Sequence, residues 1–296
     1  MASQGLDISE AQGYNVDFNK IKAAGYDFVV LRAGYGSALL YPKQYDPTFE
    51  SNYKKAKAAG LSVGAYWFTY CTDTAGALNE ANAFLKALKG KQFDYPVYMD
   101  IEEKKQFDTG LANCSAMAGT FCRQLEKNGC YSGLYCSTFW GTKYLSKEVR
   151  ELFAYWDAEW GSKCNYAGAY GIWQDGIAYV KGSGTGGIDH DWGYVDYPSI
   201  IKAQGFNGYP KPEKKEKVLD KGSCYKLGET TVGALAVKEL LRLGYSIKLH
   251  TVKVTDTKVY DQSAVDAVNM MQKRWGYKTT GRAGENFVRR LYEALL

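Results

Sequence analysis

Histidine is nearly absent from these 296 residues; His190 and His250 are the two. A zinc site built from several imidazoles is excluded, and a serine triad would have to recruit one of these two. Hydrolytic chemistry would therefore rest on carboxylates. Long apolar runs are missing as well. None approaches the ~20 residues of a membrane span, and the longest candidate, Leu61 to Cys71, is strand-length and interrupted by Gly64. The N-terminal MASQGLDISEAQGYNVD has neither the basic start nor the apolar core of a signal peptide. The chain is expected to be made and held in the cytoplasm, so action outside it needs a separate release step. Seven cysteines, an odd number without a CxxC pair, read as reduced and mostly buried thiols. No metal or cofactor is expected, and no membrane insertion. His250, in the basic stretch HTVKVT, reads as a surface residue.

What is present is core material. Apolar residues make up 46% and charged ones 23%, with 25 Tyr, 7 Trp and 12 Phe; that excludes disorder for most of the chain. The length suits one large domain or two moderate ones. The net charge of +5 is unevenly spread. Residues 211–296 carry 17 basic against 10 acidic side chains, a balance of +7, whereas residues 1–210 carry 20 against 22, a balance of −2.

Short apolar stretches flanked by Gly or Pro predict strands at 6–9, 28–33, 62–70, 96–102, 132–137, 154–160, 171–175 and 187–191. Helical patterns fall between the earlier ones, at 18–24, 49–59, 75–88 and 111–128, several ending before a glycine. After Trp160 the helical signal fades. The pattern predicts an α/β fold: an irregular (β/α)8-type barrel with about five βα units and a β-rich closure, a doubly wound sheet being the alternative. Chemistry in such a barrel gathers at the C-terminal ends of the strands. The run NGYPKPEKKEKVLDKGS at 207–223 has the charge and Pro/Gly content of a linker. Three helical segments follow, at 232–243, 263–275 and 285–296, the first two weakly alike. The expected organisation is a catalytic barrel over 1–206, a linker over 207–222 and a small, mainly helical binding domain over 223–296.

Carboxylates cluster at the predicted strand ends. Asp100 and Glu102, in PVYMDIE, share one side of a strand about 6.5–7 Å apart along the backbone. Two neighbouring carboxylates repel, and one keeps its proton to higher pH, as a general acid requires. A bare D-x-E is also compatible with a surface pair. Asp7 lies in the apolar run Gly5-Leu6-Asp7-Ile8, where a charge needs a partner or a task. Asp189 lies in the last strand, which neighbours the first in a closed barrel. Arg32 ends the second strand, to meet substrate or to pair with these acids. Aromatic rings with polar tips bind the C–H faces and hydroxyls of sugars; Tyr66 and Tyr135 lead the candidates, with Trp67 and Trp173 beside them.

These residues resemble the glycoside hydrolase family 25 muramidases, the Chalaropsis-type lysozymes, over about 5–206. The resemblance rests on Gly5-Leu6-Asp7-Ile8-Ser9, AGYDFVVLRAGYG at 24–36, Ala65-Tyr66-Trp67-Phe68, YPVYMDIEE at 95–103, Trp173-Gln174 and Gly187-Ile188-Asp189-His190-Asp191. It implies cleavage of the β-1,4 bond from N-acetylmuramic acid to N-acetylglucosamine, with retention. Glu102 matches the general acid, Asp100 its companion, and Asp7 and Asp189 two further acids of the site. Asp100 would be the nucleophile or would steady a substrate acetamido group that attacks instead. Trp67 stands where many relatives have His, and His190 where an apolar residue is usual.

The C-terminal segment resembles a three-helix peptidoglycan-binding fold through Val237-Lys238-Glu239-Leu240, Leu243-Gly244-Tyr245, Trp275-Gly276-Tyr277 and Gly281-Arg282-Ala283-Gly284. The implied partners are peptidoglycan glycan strands and, through the +7 charge, anionic wall polymers; nucleic acid is not expected. The combination resembles a phage or prophage endolysin, held in the host cytoplasm until a holin releases it to the wall. The competing readings are a non-catalytic wall-binding protein and a chitinase-like glycosidase, although the D-x-x-D-x-D-x-E run of chitinases is incomplete here. The sequence assigns no oligomeric state.

Overall fold

The computed structural model describes residues 2–211, 219–220 and 222–296. The chain forms two compact units, Met1–Pro212 and Glu213–Leu296.

In the first unit the order is β1 (Ser3–Ile8), α1 (Phe18–Ala23), β2 (Phe28–Tyr35), α2 (Phe49–Ala58), β3 (Ser62–Phe68), α3 (Thr74–Leu88), β4 (Val97–Asp100), α4 (Lys104–Phe107), α5 (Leu111–Lys127), β5 (Ser132–Ser137), α6 (Thr138–Tyr144), α7 (Lys147–Leu152), β6 (Ala154–Ala158), β7 (Ile172–Ala178), β8 (Ile188–Gly193) and α8 (Tyr197–Gln204). The eight strands close into one barrel in sequence order. Five crossovers carry helices, and the segments after β6 carry none until α8, matching the β-rich closure the sequence predicts.

The last strand departs from the parallel expectation. β8 runs antiparallel to β7 and to β1. Its connection from β7, residues 179–187, contains Gly182, Gly184, Gly186 and Gly187 and no helix. A parallel neighbour needs a long crossover, whereas a short turn returns the chain antiparallel.

Two apolar layers follow from strand alternation. Outward residues such as Val29, Leu31, Val63, Ala65, Met99 and Leu134 pack with Phe84, Phe121 and Leu125 of the helices. Inward residues Phe28, Val30, Tyr66, Tyr98, Trp156 and Ile172 fill the barrel. Gly5 and Gly133 make room for them: a Cβ at Gly5 would lie 2.2 Å from the Phe28 ring, and one at Gly133 2.4 Å from Tyr98. The seven cysteines are free thiols, five of them buried.

Both ends of the segment assigned to a linker are built into folded units. The Asn207 side chain accepts from Tyr131 N and donates to Tyr95 O, and the Tyr209 hydroxyl donates to Asp94 at 2.6 Å. In the second unit Asp220 accepts from the backbone N–H groups of Gly284, Asn286 and Phe287. Residues 212–218 and 221 of the expected linker lie outside the described residues.

The second unit holds α9 (Val232–Ser246), α10 (Gln262–Arg274) and α11 (Glu285–Leu295) around Val237, Leu241, Val268, Met271, Phe287 and Leu291. Asp220 thus caps α11, which has no side-chain cap of its own. The predicted stop of the first helix at Gly244 is corrected: α9 continues to Ser246, and Gly244 faces the His250 ring, 3.3 Å from where its Cβ would stand. His250 is accordingly buried, its Nε2 bonded to Leu241 O at 2.8 Å, and not a surface residue. Gly276, by contrast, does end its helix at φ +77°, so the two weakly similar segments close differently.

Candidate active site

A pocket of about 200 Å³ opens at one rim of the barrel. Asp7 comes from the end of β1, Asp100 from the end of β4, Glu102 from just beyond it and Asp189 from the start of β8. The rule of C-terminal strand ends would miss Asp189. It reaches the same rim because β8 is reversed, which sets Asp189 directly opposite Asp7 in register.

Crowding raises the proton affinity of all four. Asp7 and Asp100 lie well above the ordinary carboxylate range. For Asp7 burial is the main cause, then the Asp189 charge; the hydrogen bond from Gln174 acts the other way. For Asp100 burial again leads, followed by Glu102 and Asp7, with Arg32 opposing. One oxygen of Asp100, Oδ1, has no hydrogen-bond partner. Glu102 stands at the mouth, open to solvent, yet lost hydration still pushes it up, helped by Glu103 and Asp189. Asp189 is raised by burial.

Aromatic and amide side chains make the walls: Tyr66, Phe68, Tyr135, Trp156 and Gln174. Gln174 is a junction. Its Nε2 donates to Asp7 at 2.9 Å, and its Oε1 accepts from the Tyr135 hydroxyl at 3.1 Å and the Trp160 indole at 3.0 Å. The two donors fix which end of the amide faces Asp7.

Seven of the nine residues singled out from sequence line this pocket: the four acids, Tyr66, Tyr135 and Arg32. Two do not, and alternation explains both. Tyr66 and Phe68 of β3 point inward, so Trp67 points outward; it is fully buried against Tyr45 and Phe84, its indole N–H on Gly36 O. Trp173 likewise faces away from the pocket that Gln174 lines, and donates to Glu159 O at 2.8 Å. Arg32 needs a correction of a different kind. It lines the wall but does not pair with Asp7 or Asp189; its ion pairs are with Asp46 and Glu10, each at 2.9 Å.

Sequence reading passed over Gln174 and Phe68 as pocket residues. A period-two count along β3 from Tyr66 selects Phe68, whereas Gln174 follows the inward Ile172 by two residues on β7, a facing that the barrel decides.

A larger cavity, about 840 Å³, lies in the second unit between α9 and α11. Val237, Leu240 and Val288 floor it, with Tyr225, Tyr292, Glu229, Glu285 and Arg289 around it. Two carboxylates line it, against four in the barrel pocket.

A closed barrel with four carboxyls of raised proton affinity and aromatic walls at one rim fits a hydrolase of the glycosidase class. The chain belongs to glycosyl hydrolases family 25, whose family model matches residues 6–180. A second model, described as "Putative peptidoglycan binding domain", matches residues 234–291. The chain is 26% identical to an autolytic lysozyme of Clostridium acetobutylicum, over 97% of this chain and 81% of that protein. It is also 26% identical to a probable family 25 lysozyme of Dictyostelium discoideum, over 75% and 87%. Among solved structures, a family 25 glycosyl hydrolase from Bacillus anthracis superposes with a TM-score of 0.57 at 19% identity, covering 65% of this chain and 89% of that one. The catalytic domain of an endolysin from a Listeria monocytogenes bacteriophage does so with a TM-score of 0.54 at 21% identity, covering 68% and 97%. Among the described residues no helix is long and apolar enough to cross a membrane.

Proposed function

We propose that the barrel is an N-acetylmuramidase that cuts the β-1,4 bond between N-acetylmuramic acid and N-acetylglucosamine in Gram-positive peptidoglycan, with retention. The observation that carries this is the meeting of Asp7, Asp100, Glu102 and Asp189 in one aromatic-walled pocket. Glu102, at the mouth and with its proton affinity raised, donates to the leaving glycosidic oxygen. Asp100, buried in the same pocket, accepts a hydrogen bond from the N–H of the 2-acetamido group and turns its carbonyl oxygen towards C1. That oxygen attacks C1 as the bond to the leaving oxygen breaks, and water, giving its proton to the now ionised Glu102, opens the resulting ring at C1. Asp7 and Asp189 complete the acidic rim, Asp189 adding to the raised proton affinity of Glu102, while Tyr66 and Tyr135 hold the sugar.

The second unit is the wall anchor, its +6 balance over residues 213–296 drawn to anionic wall polymers and its cleft between α9 and α11 the seat for a wall ligand. The autolytic lysozyme among its relatives and the endolysin likeness support a protein that waits in the host cytoplasm for holin-mediated release and then acts on the wall.

Mass spectrometry of digested peptidoglycan is the test. The expected products end in reducing N-acetylmuramic acid, released first as the β-anomer by NMR. Glu102→Gln should lower the rate roughly 10²–10⁴-fold in a folded protein. Reducing N-acetylglucosamine ends, release of sugar from chitin, or full activity of that variant would overturn the reading.

A further inference from the structure

Asp191 is a fifth carboxyl in the barrel interior, and it does not line the pocket. It follows Asp189 by two residues on β8, so the strand period turns it inward too, one layer deeper, opposite Gly5 of β1 and Gln174 of β7. It is fully buried. Its Oδ1 accepts the Trp156 indole N–H at 2.8 Å, and its Oδ2 has no partner. Trp156 is itself a pocket wall, its ring centroid 4.5 Å from Tyr135, 5.2 Å from Tyr98 and 6.1 Å from Tyr66.

We propose that Asp191 is a positioning residue: a neutral carboxyl that fixes the Trp156 indole as the flat surface against which a sugar ring of the glycan seats. This rests on the barrel pocket being the site of glycan cleavage. The titratable groups whose charge acts on Asp191 are Asp7 from β1, Asp189 from its own strand and Asp175 from β7, the last held by His190 and Trp192, and the phenols of Tyr98 and Tyr135 from β4 and β5 feel its charge in turn. Among the described residues no Lys, Arg or His forms an ion pair with it. An ionised carboxylate there would be an uncompensated buried charge with an orphan oxygen, whereas an unpaired O–H costs far less. The indole gains the acceptor that a buried Trp requires. Without it the ring keeps its apolar contacts with the three tyrosines but loses the one bond that sets its plane.

The proposal separates three substitutions, assayed as full-length proteins on soluble uncrosslinked peptidoglycan strands, with melting temperature as the folding control. Asp191→Asn keeps an acceptor for the indole and is neutral at every pH. It should retain kcat, KM and the wild-type pH profile. Asp191→Leu and Trp156→Phe each break the bond and should raise KM about fivefold while kcat changes less than about twofold. An Asn variant as impaired as the Leu variant would show that charge is needed and overturn the proposal. So would an unchanged KM in Asp191→Leu or, where that protein does not fold, in Trp156→Phe. Glu102→Gln run alongside keeps the two readings apart. Its inactivity together with a normal Asp191→Leu removes the role of Asp191 alone; its full activity removes the pocket, and this proposal with it.

Discussion

Asp7 and Asp189 stand directly opposite each other across the antiparallel β1–β8 pair. Facing residues in such a pair bring their Cβ atoms within about 4.5–5.5 Å, and like charges there destabilise the sheet. The barrel holds this repulsion at its rim, and stability and activity are therefore opposed at Asp7.

The first expectation concerns that opposition. Asp7 has a higher proton affinity folded than unfolded. The stability of its neutral form is thus fully present below the unfolded carboxylate range and is lost as pH rises through the folded value. Asn imitates the neutral form at every pH. Asp7→Asn should raise the barrel's stability by about 1 kcal/mol near neutral pH, with the gain vanishing in acid, while wall lysis falls. Thermal melts across pH check this; a gain that persists undiminished in acid would count against it.

Glu103 offers a cleaner handle on the proposed acid. It does not line the pocket, yet its charge is the second cause, after burial, of the raised Glu102. A general acid works until pH climbs past its pKa, so Glu103→Gln should draw the alkaline limb of kcat/KM towards lower pH. Activity on the acid side should hold. The pH–rate profile is the measurement, and an unmoved alkaline limb would refute the coupling.

The second unit has its own weak point. Lys238 is buried, and its ammonium donates to Thr255, Thr257, Val259 O and Asp261, the last at 2.7 Å. That pairing and the surrounding hydroxyls hold the Asp261 carboxyl far below its usual range. Lys238→Met leaves these acceptors facing an apolar chain, a loss of about 3–5 kcal/mol. Calorimetry of the full chain should show the second unit melting earlier and the barrel transition unmoved.

Wall binding should be salt-sensitive. With the surplus of positive charge confined to residues 211–296, retention of the Glu102→Gln protein on purified walls should weaken as ionic strength rises and the Debye length falls below about 10 Å. Stripping anionic polymers from the walls should remove most of that salt dependence. Binding indifferent to both would assign recognition to the uncharged cleft instead.

Much of this was legible in the sequence, because periodicity and local chemistry are local properties. The eight strands, the helices of the first four crossovers and the carboxylates of β1 and β4 follow from apolar runs, glycine stops and D-x-E spacing. Alternation alone would also have turned Trp67 away from the pocket and Phe68 towards it. Other features depend on contacts between distant segments. The reversal of β8 brings Asp189 to the rim from the start of its strand. Asp46 and Glu10 occupy Arg32, the His250 ring runs α9 past Gly244, and Asp220 caps a helix more than 60 residues away. Sequence determined which residues could be strands and which could be acids. Tertiary structure decided which acids face one another, and so how their proton affinities rise, because burial and the neighbours' charge set that affinity and neither exists until the barrel closes.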